Sequence, residues 1–142
     1  MPSFYIASGL GGAIRAREIA QALVRRGFVW TYDWTAHGSV QHDMDGLGPK
    51  TAEAEMNGVA CADFVVVLLP GGRGTHAELG AALALGKPAL IFGEHFVVDG
   101  VECVFYRHPR AVKYAFASNM LGEEIADVIA TEVANLRATG GV

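Results

Sequence analysis

Glu78 stands in the stretch LPGGRGTHAELGAALALGKP, from Leu69 to Pro88, directly behind a glycine-rich turn. A single carboxylate in that position has two possible uses. Thr75-His76-Ala77-Glu78 has the S/T-x-x-E spacing of a capping box, in which the glutamate closes a helix amino terminus and suits its dipole. The other use is nucleophilic: the carboxylate attacks an electrophilic carbon of a bound substrate. Gly71, Gly72 and Gly74 permit positive φ and a close backbone approach to a ligand, which a capping box does not need.

A second glycine loop, ASGLGGAIR, follows the first apolar segment and opens a helical one. Ser8 and the N–H groups of Gly9, Gly11 and Gly12 can there face an anion. As a dinucleotide fingerprint the loop fails, because Ile14 stands where the third glycine belongs. PGGRGT lacks the GK[ST] of a P-loop, so it gives no support to kinase or NTPase chemistry. Asp33, after the second apolar segment, lies where an acid can hold a ribose, and Trp34 can either stack on a base or join the core. His42 and Asp43 in QHDMD have no third ligand at metal-binding spacing, so no metal is expected.

Apolar and polar segments alternate in a way that positions these groups. Ser3–Ala7, Phe28–Tyr32, Phe64–Leu69 and Ala89–Phe92 read as strands, with a fifth expected within Val101–Tyr106. Helices are expected at Ala13–Arg26, with Ile14, Ile19, Ala22 and Leu23 near one face, and at Thr51–Ala60, Thr75–Leu85 and Leu121–Leu136. Gly27 and Gly86 mark two of their ends. Asp33–Pro49 reads as one long loop. The pattern predicts an α/β domain: a three-layer, doubly wound parallel sheet of about five strands, flavodoxin-like or Rossmann-like, spanning 1–142. Such sheets bind ligands beyond the carboxyl ends of their strands, where Ala7–Gly12, Asp33–Pro49 and Pro70–Thr75 should converge.

Composition narrows the function. Among 142 residues 51% are hydrophobic and 18% charged, which suits an ordered globular chain. The net charge of -4, with Arg25-Arg26 as the sole basic pair of note, argues against nucleic acid or an anionic membrane as partner. No apolar run approaches the ~18 residues of a membrane span. MPSFYIAS leads straight into a strand without a signal peptide, and Cys61 and Cys103 read as reduced core thiols; a cytoplasmic location is expected.

At these same residues the chain resembles the nucleoside 2-deoxyribosyltransferase family, including its nucleotide N-hydrolase branch. Phe4-Tyr5-Ile6-Ala7-Ser8 is similar to the family's opening strand, whose tyrosine orients the catalytic glutamate. EMNGVACAD, Glu55 to Asp63, is similar to the helix before the central strand, which carries an acid, usually Asp, and ends in Ala-Asp. GTHAELG, Gly74 to Gly80, resembles the catalytic signature, and an alanine-rich helix and Gly86-Lys87-Pro88 follow it. The resemblance runs from about Phe4 to Phe92. PGGRGTHAE also resembles the PGGxGTxxE motif of lysine-decarboxylase-like nucleoside-monophosphate phosphoribohydrolases, which cleave the same kind of bond.

The resemblance implies that Glu78 attacks the anomeric carbon of a nucleoside or nucleotide, with Tyr5 holding it in line, and that water or a second base then takes the sugar. It implies no cofactor. Proton management on the departing base falls to Glu55, whose extra methylene relative to Asp moves the carboxyl by about 1.5 Å, or to Asp63. Gly72, Arg73, Gly74 and Thr75 would contact substrate, with the Arg73 guanidinium matched to a 5′-phosphate or else simply solvated. A homodimer or larger oligomer is implied, with Tyr114–Met120 a candidate contributor to a neighbour's pocket. Two other readings stand beside this one: a nucleotide-binding sensor without turnover, and a TIR-like enzyme that cleaves NAD.

Overall fold

The computed structural model describes residues 1–142. Its centre is a five-stranded, fully parallel sheet made of β1 (Ser3–Ala7), β2 (Val29–Trp30), β3 (Phe64–Leu68), β4 (Ala89–Gly93) and, last in the chain, β7 (Ala111–Ala115). The spatial order is β2-β1-β3-β4-β7. Tyr5 lies beside Val65, Val67 beside Ile91, and Phe92 beside Tyr114. The three central strands are buried on both faces, which is why they read as unbroken apolar runs.

Four helices cover the sheet: α1 (Ala13–Arg25), α2 (Leu47–Cys61), α3 (Arg73–Ala84) and α4 (Gly122–Ala138). The connection from β1 through α1 runs outward to β2, and the connections through α2 and α3 run the opposite way. Right-handed crossovers therefore put α1 on one face and α2 and α3 on the other. α4 packs on α1, completing three layers. Along α1 the buried stripe is Ala16, Ile19, Ala20, Ala22 and Leu23. Its alanines let the helix lie close to the sheet, and each fully buried leucine or isoleucine contributes about 1.5–3 kcal/mol. Gly27 ends the helix with φ 93°, a conformation that strains any residue with a Cβ.

Several boundaries differ from the sequence reading. The fifth strand of the sheet is β7, not Val101–Tyr106. Val101–Glu102 (β6) instead pairs antiparallel with Val97–Val98 (β5) in a small separate hairpin, and Val104–Arg107 forms a 3-10 turn. β7 was hidden because an edge strand is covered less, and Lys113 interrupts its apolar run while pairing with Glu102 at 2.7 Å. β2 keeps only two residues of Phe28–Tyr32. The long loop is shorter than expected: it holds 3-10 turns at Trp34–Ala36 and Gln41–Asp43 before α2 begins at Leu47. Pro49 sits in the first turn of α2, where its missing N–H costs nothing. Ile14 is 79% exposed, off the buried stripe of α1, and Cys61 is exposed at the end of α2, so neither belongs to the core.

Candidate active site

α3 begins at Arg73, two residues before the expected start, and Gly72 is its N-cap. Glu78 therefore lies in the second turn, beyond reach of the helix end, and the capping role is set aside. Thr75 performs the local closure instead: its Oγ1 accepts from the N–H of Gly72 at 3.3 Å. The Glu78 side chain turns inward, 5% exposed, and its Oε2 accepts a short hydrogen bond from the Tyr5 hydroxyl. Tyr5 comes from the middle of β1 and is fully buried.

The electrostatics of this pair follow from burial. Loss of water pushes the Glu78 carboxyl up to about 8; the Tyr5 hydrogen bond opposes that rise, and the neighbouring charge of Glu55 adds to it. Tyr5 is driven far above its ordinary range, first by burial and then by the Glu78 charge, so it remains a proton donor to the carboxylate. Glu55, on α2, is half-buried and also raised by desolvation, an effect opposed by His37. It acts electrostatically on Tyr5, Glu78 and Tyr32. Glu55 is thus within electrostatic reach of the Glu78–Tyr5 pair and of Tyr32 and His37.

One residue that sequence reading missed makes this arrangement possible. Gly58 lies one turn beyond Glu55 on α2, and a Cβ there would stand 2.8 Å from Cβ of Tyr32 and 2.9 Å from Cδ2 of Tyr5. Only a residue without a side chain lets α2 come down onto both tyrosines. The available signal was an isolated glycine inside a helical pattern, which usually marks close packing.

The remaining residues separate. Asp63 lies at the amino end of β3, where its Oδ2 accepts from the N–H of Ser3 at 2.7 Å and from the Ser3 hydroxyl at 3.1 Å. That edge is opposite the carboxyl ends of the strands, so Asp63 joins β1 to β3 and does not meet Glu78. Asp63→Asn is expected to lower the melting temperature by a few degrees and leave turnover unchanged, checked by thermal unfolding beside a rate assay. Trp34 belongs to the core, 5% exposed, and its indole N–H donates to the carbonyl of Ile6 at 2.6 Å, so it is not placed to stack on a base. Asp33 caps the turn that follows it, accepting from the N–H of Thr35 at 2.9 Å. Arg73 is exposed on the first turn of α3, not on a loop, and lines neither of the two main cavities.

Glu78 lines neither of those two cavities. The larger, about 620 Å³, opens at the carboxyl ends of the central strands and is lined by Ser8, Gly9, Gly11, Arg15, Glu94 and Phe116. Arg15 is fastened there: its two terminal nitrogens donate to the carbonyls of Ser118 at 3.0 Å and Met120 at 2.6 Å, over the Phe116 ring. The smaller, about 320 Å³, lies between the loop after β2 and α2. At the larger cavity Gly9 abuts the carbonyl of Pro70 and the nitrogen of Gly72, so the two glycine loops meet. His76 bridges Gly72 and the Tyr106 hydroxyl, at 2.8 Å from the carbonyl of the first and 2.7 Å from the second. No group of three or more His, Cys, Asp or Glu gathers to hold a metal ion, and no helix is long and apolar enough to cross a membrane.

Comparison with known proteins places this fold. No family model matches the chain, and no curated protein matches it in sequence. Among solved structures it is similar to the CMP N-glycosidase BcmB of Clostridium botulinum, with a TM-score of 0.61 and 14% identity over 92% of this chain and 98% of that one. It is likewise similar to a 2-deoxyribosyltransferase of the psychrotolerant bacterium Bacillus psychrosaccharolyticus, with a TM-score of 0.61 and 17% identity over 88% of this chain and 90% of that one. At such identities the likeness establishes a shared three-layer α/β fold across nearly the whole of each chain.

Proposed function

We propose that this protein cleaves the N-glycosidic bond of a nucleoside or nucleoside 5′-monophosphate, with Glu78 as nucleophile. The observation that carries the reading is the buried Tyr5–Glu78 hydrogen bond with Glu55 alongside. A carboxylate with one hydrogen-bond donor keeps a free lone pair to attack, and burial sharpens its basicity. The resemblance of the Tyr5, Glu55 and GTHAELG segments to the nucleoside 2-deoxyribosyltransferase family supports the reading, as does the fold shared with a CMP N-glycosidase and a 2-deoxyribosyltransferase.

In this mechanism Glu78 approaches the anomeric carbon as the bond to the base lengthens, through an oxocarbenium-like transition state. The Tyr5 hydroxyl fixes the direction of attack. Glu55, held protonated to higher pH than an exposed glutamate, supplies the proton to the departing base. The sugar ester on Glu78 then passes to water or to another base. Ser8 and the N–H groups of Gly9 and Gly11, ahead of α1, are the groups suited to a 5′-phosphate, the N–H of Gly12 being given to the carbonyl of Gly9 at 2.9 Å. Gly72, Gly74 and Thr75 frame the approach from the α3 side. Assembly as a homodimer belongs to the proposal: Leu10, Ile14, Val98 and Leu121 are exposed apolar residues in or beside the segments that form the larger cavity.

The test is chromatography of free base released from nucleosides, deoxynucleosides, their 5′-monophosphates and NAD, with and without an acceptor base. Release from a nucleoside or monophosphate supports the reading, and the acceptor lanes divide transfer from hydrolysis. Nicotinamide release from NAD alone would favour the NAD-cleaving alternative. No release from any substrate by folded protein would leave a binding domain.

A further inference from the structure

The smaller cavity has no part in the chemistry so far, yet it adjoins the helix that carries Glu55: Thr51 and Ala54 of α2 line it, and Gly58, one turn beyond Glu55, packs on Tyr5, the hydrogen-bond partner of Glu78. Tyr32 and His37 also line the cavity, and both interact electrostatically with Glu55. Thr51 and Ala54, one turn before and one residue before Glu55 on α2, form its floor. In the proposed cleavage the base departs on the side of its proton donor, Glu55, which shares α2 with the lining residues Thr51 and Ala54. The cavity's volume of about 320 Å³ lies at the low end of the range for ligand sites, room for a ring system without its sugar and phosphate.

The polar lining is one-sided. Lys50, His37 and His42 contribute nitrogen groups, and no carboxylate lines the cavity. Lys50 enters none of the chain's ion pairs, so its ammonium is free to meet a ligand. An ammonium only donates hydrogen bonds. The larger cavity differs, since Glu94 shares its lining with Arg15. The Tyr32 ring adds a stacking surface, itself tilted against His37 at 6.0 Å between centroids.

We infer that this cavity receives the departing base, and that Lys50 makes it selective for bases with a carbonyl at the ring position where other bases carry an exocyclic amine. The inference rests on the proposed glycosidic cleavage. As Glu78 Oε bonds to the anomeric carbon, the electron pair of the broken C–N bond stays on the base nitrogen and spreads onto the ring carbonyl oxygens. Lys50 donates to such an oxygen as its charge grows. The base then takes a proton from Glu55 or from water and leaves neutral. An amine at the same ring position presents hydrogens to the ammonium and loses this support.

Two measurements test it. Free uracil and hypoxanthine, and separately cytosine and adenine, are titrated into isotope-labelled protein while amide shifts are followed. The oxo bases should move the signals of Tyr32, His42, Lys50 and Thr51 more strongly than the amino bases do, and Lys50→Met should remove the difference. In kinetics, Lys50→Met should reduce kcat/KM on oxo-base substrates about tenfold more than on amino-base substrates. Shifts confined to other surfaces, or an equal loss on every base, would overturn the inference. Base binding needs no turnover: selective shifts without base release would sink the glycosidase reading alone, and release indifferent to Lys50 would sink the inference alone.

Discussion

Glu78→Gln is expected to lower base release by on the order of 10⁴-fold while making the folded protein more stable at alkaline pH. Both effects have one cause. The amide is nearly the shape of the carboxylate and still accepts from Tyr5, but it does not attack carbon. Burial holds the folded carboxyl at about 8, well above the value it takes in an unfolded chain. Between the unfolded value and about 8 the folded state binds the extra proton, so stability falls as pH rises through that window and levels off above it. The wild type thus carries a penalty of roughly a few kcal/mol at pH 8.5 that it lacks at pH 4. Melting curves of both proteins at pH 4 and pH 8.5 check this: the Gln variant should gain on the wild type at the higher pH only. Activity has the opposite dependence, because the ionised nucleophile is the active one, and base release should climb with pH toward about 8. Tyr5→Phe should move that rise to higher pH, since it deletes the hydrogen bond that favours the ionised form. An equal loss of rate at all pH values in Tyr5→Phe would contradict this account of the pair.

Gly58→Val should be the most damaging change away from the carboxylates. Even a single Cβ at position 58 would stand under 3 Å from Tyr32 and from the ring of Tyr5. Neither can retreat: Tyr5 is fully buried in the central sheet, and the contact at Tyr32 is to its Cβ, which moves only with the backbone. α2 must lift, which costs roughly 1–3 kcal/mol of overpacking strain and carries Glu55 away from Glu78. A fall in kcat of about 10²-fold is expected, with the smaller Gly58→Ala showing a weaker form of both effects. Thermal unfolding beside steady-state kinetics separates the two. A variant that loses stability but retains kcat would show that Gly58 serves packing alone.

Much of the fold was legible because parallel strands buried on both faces leave an unmistakable apolar signature. Phe64–Leu68 and Ala89–Gly93 could hardly be anything else. The edge strand β7 was not legible, because the edge of a sheet is only half covered and tolerates Lys113. The start of α3 was misplaced for a local reason: Thr75 looks like an N-cap in sequence, yet the helix begins earlier, at Arg73, with Gly72 as its cap. That small shift changes the reading of Glu78 from a cap to a buried side chain.

From the sequence alone came the doubly wound α/β class, the two glycine loops at strand ends and a single carboxylate behind the second, since each of these depends on neighbours within a few residues. Which acids meet was decided by tertiary structure. Glu78 and Tyr5 are 73 residues apart, joined because β1 and α3 pack across β3. Glu55 was drawn to them and Asp63 left at the opposite edge by the direction of α2, which descends from the carboxyl ends of the strands to their amino ends. Spacing along the chain cannot encode that choice: it is set by which way a helix runs across a sheet and by how closely one glycine lets it approach.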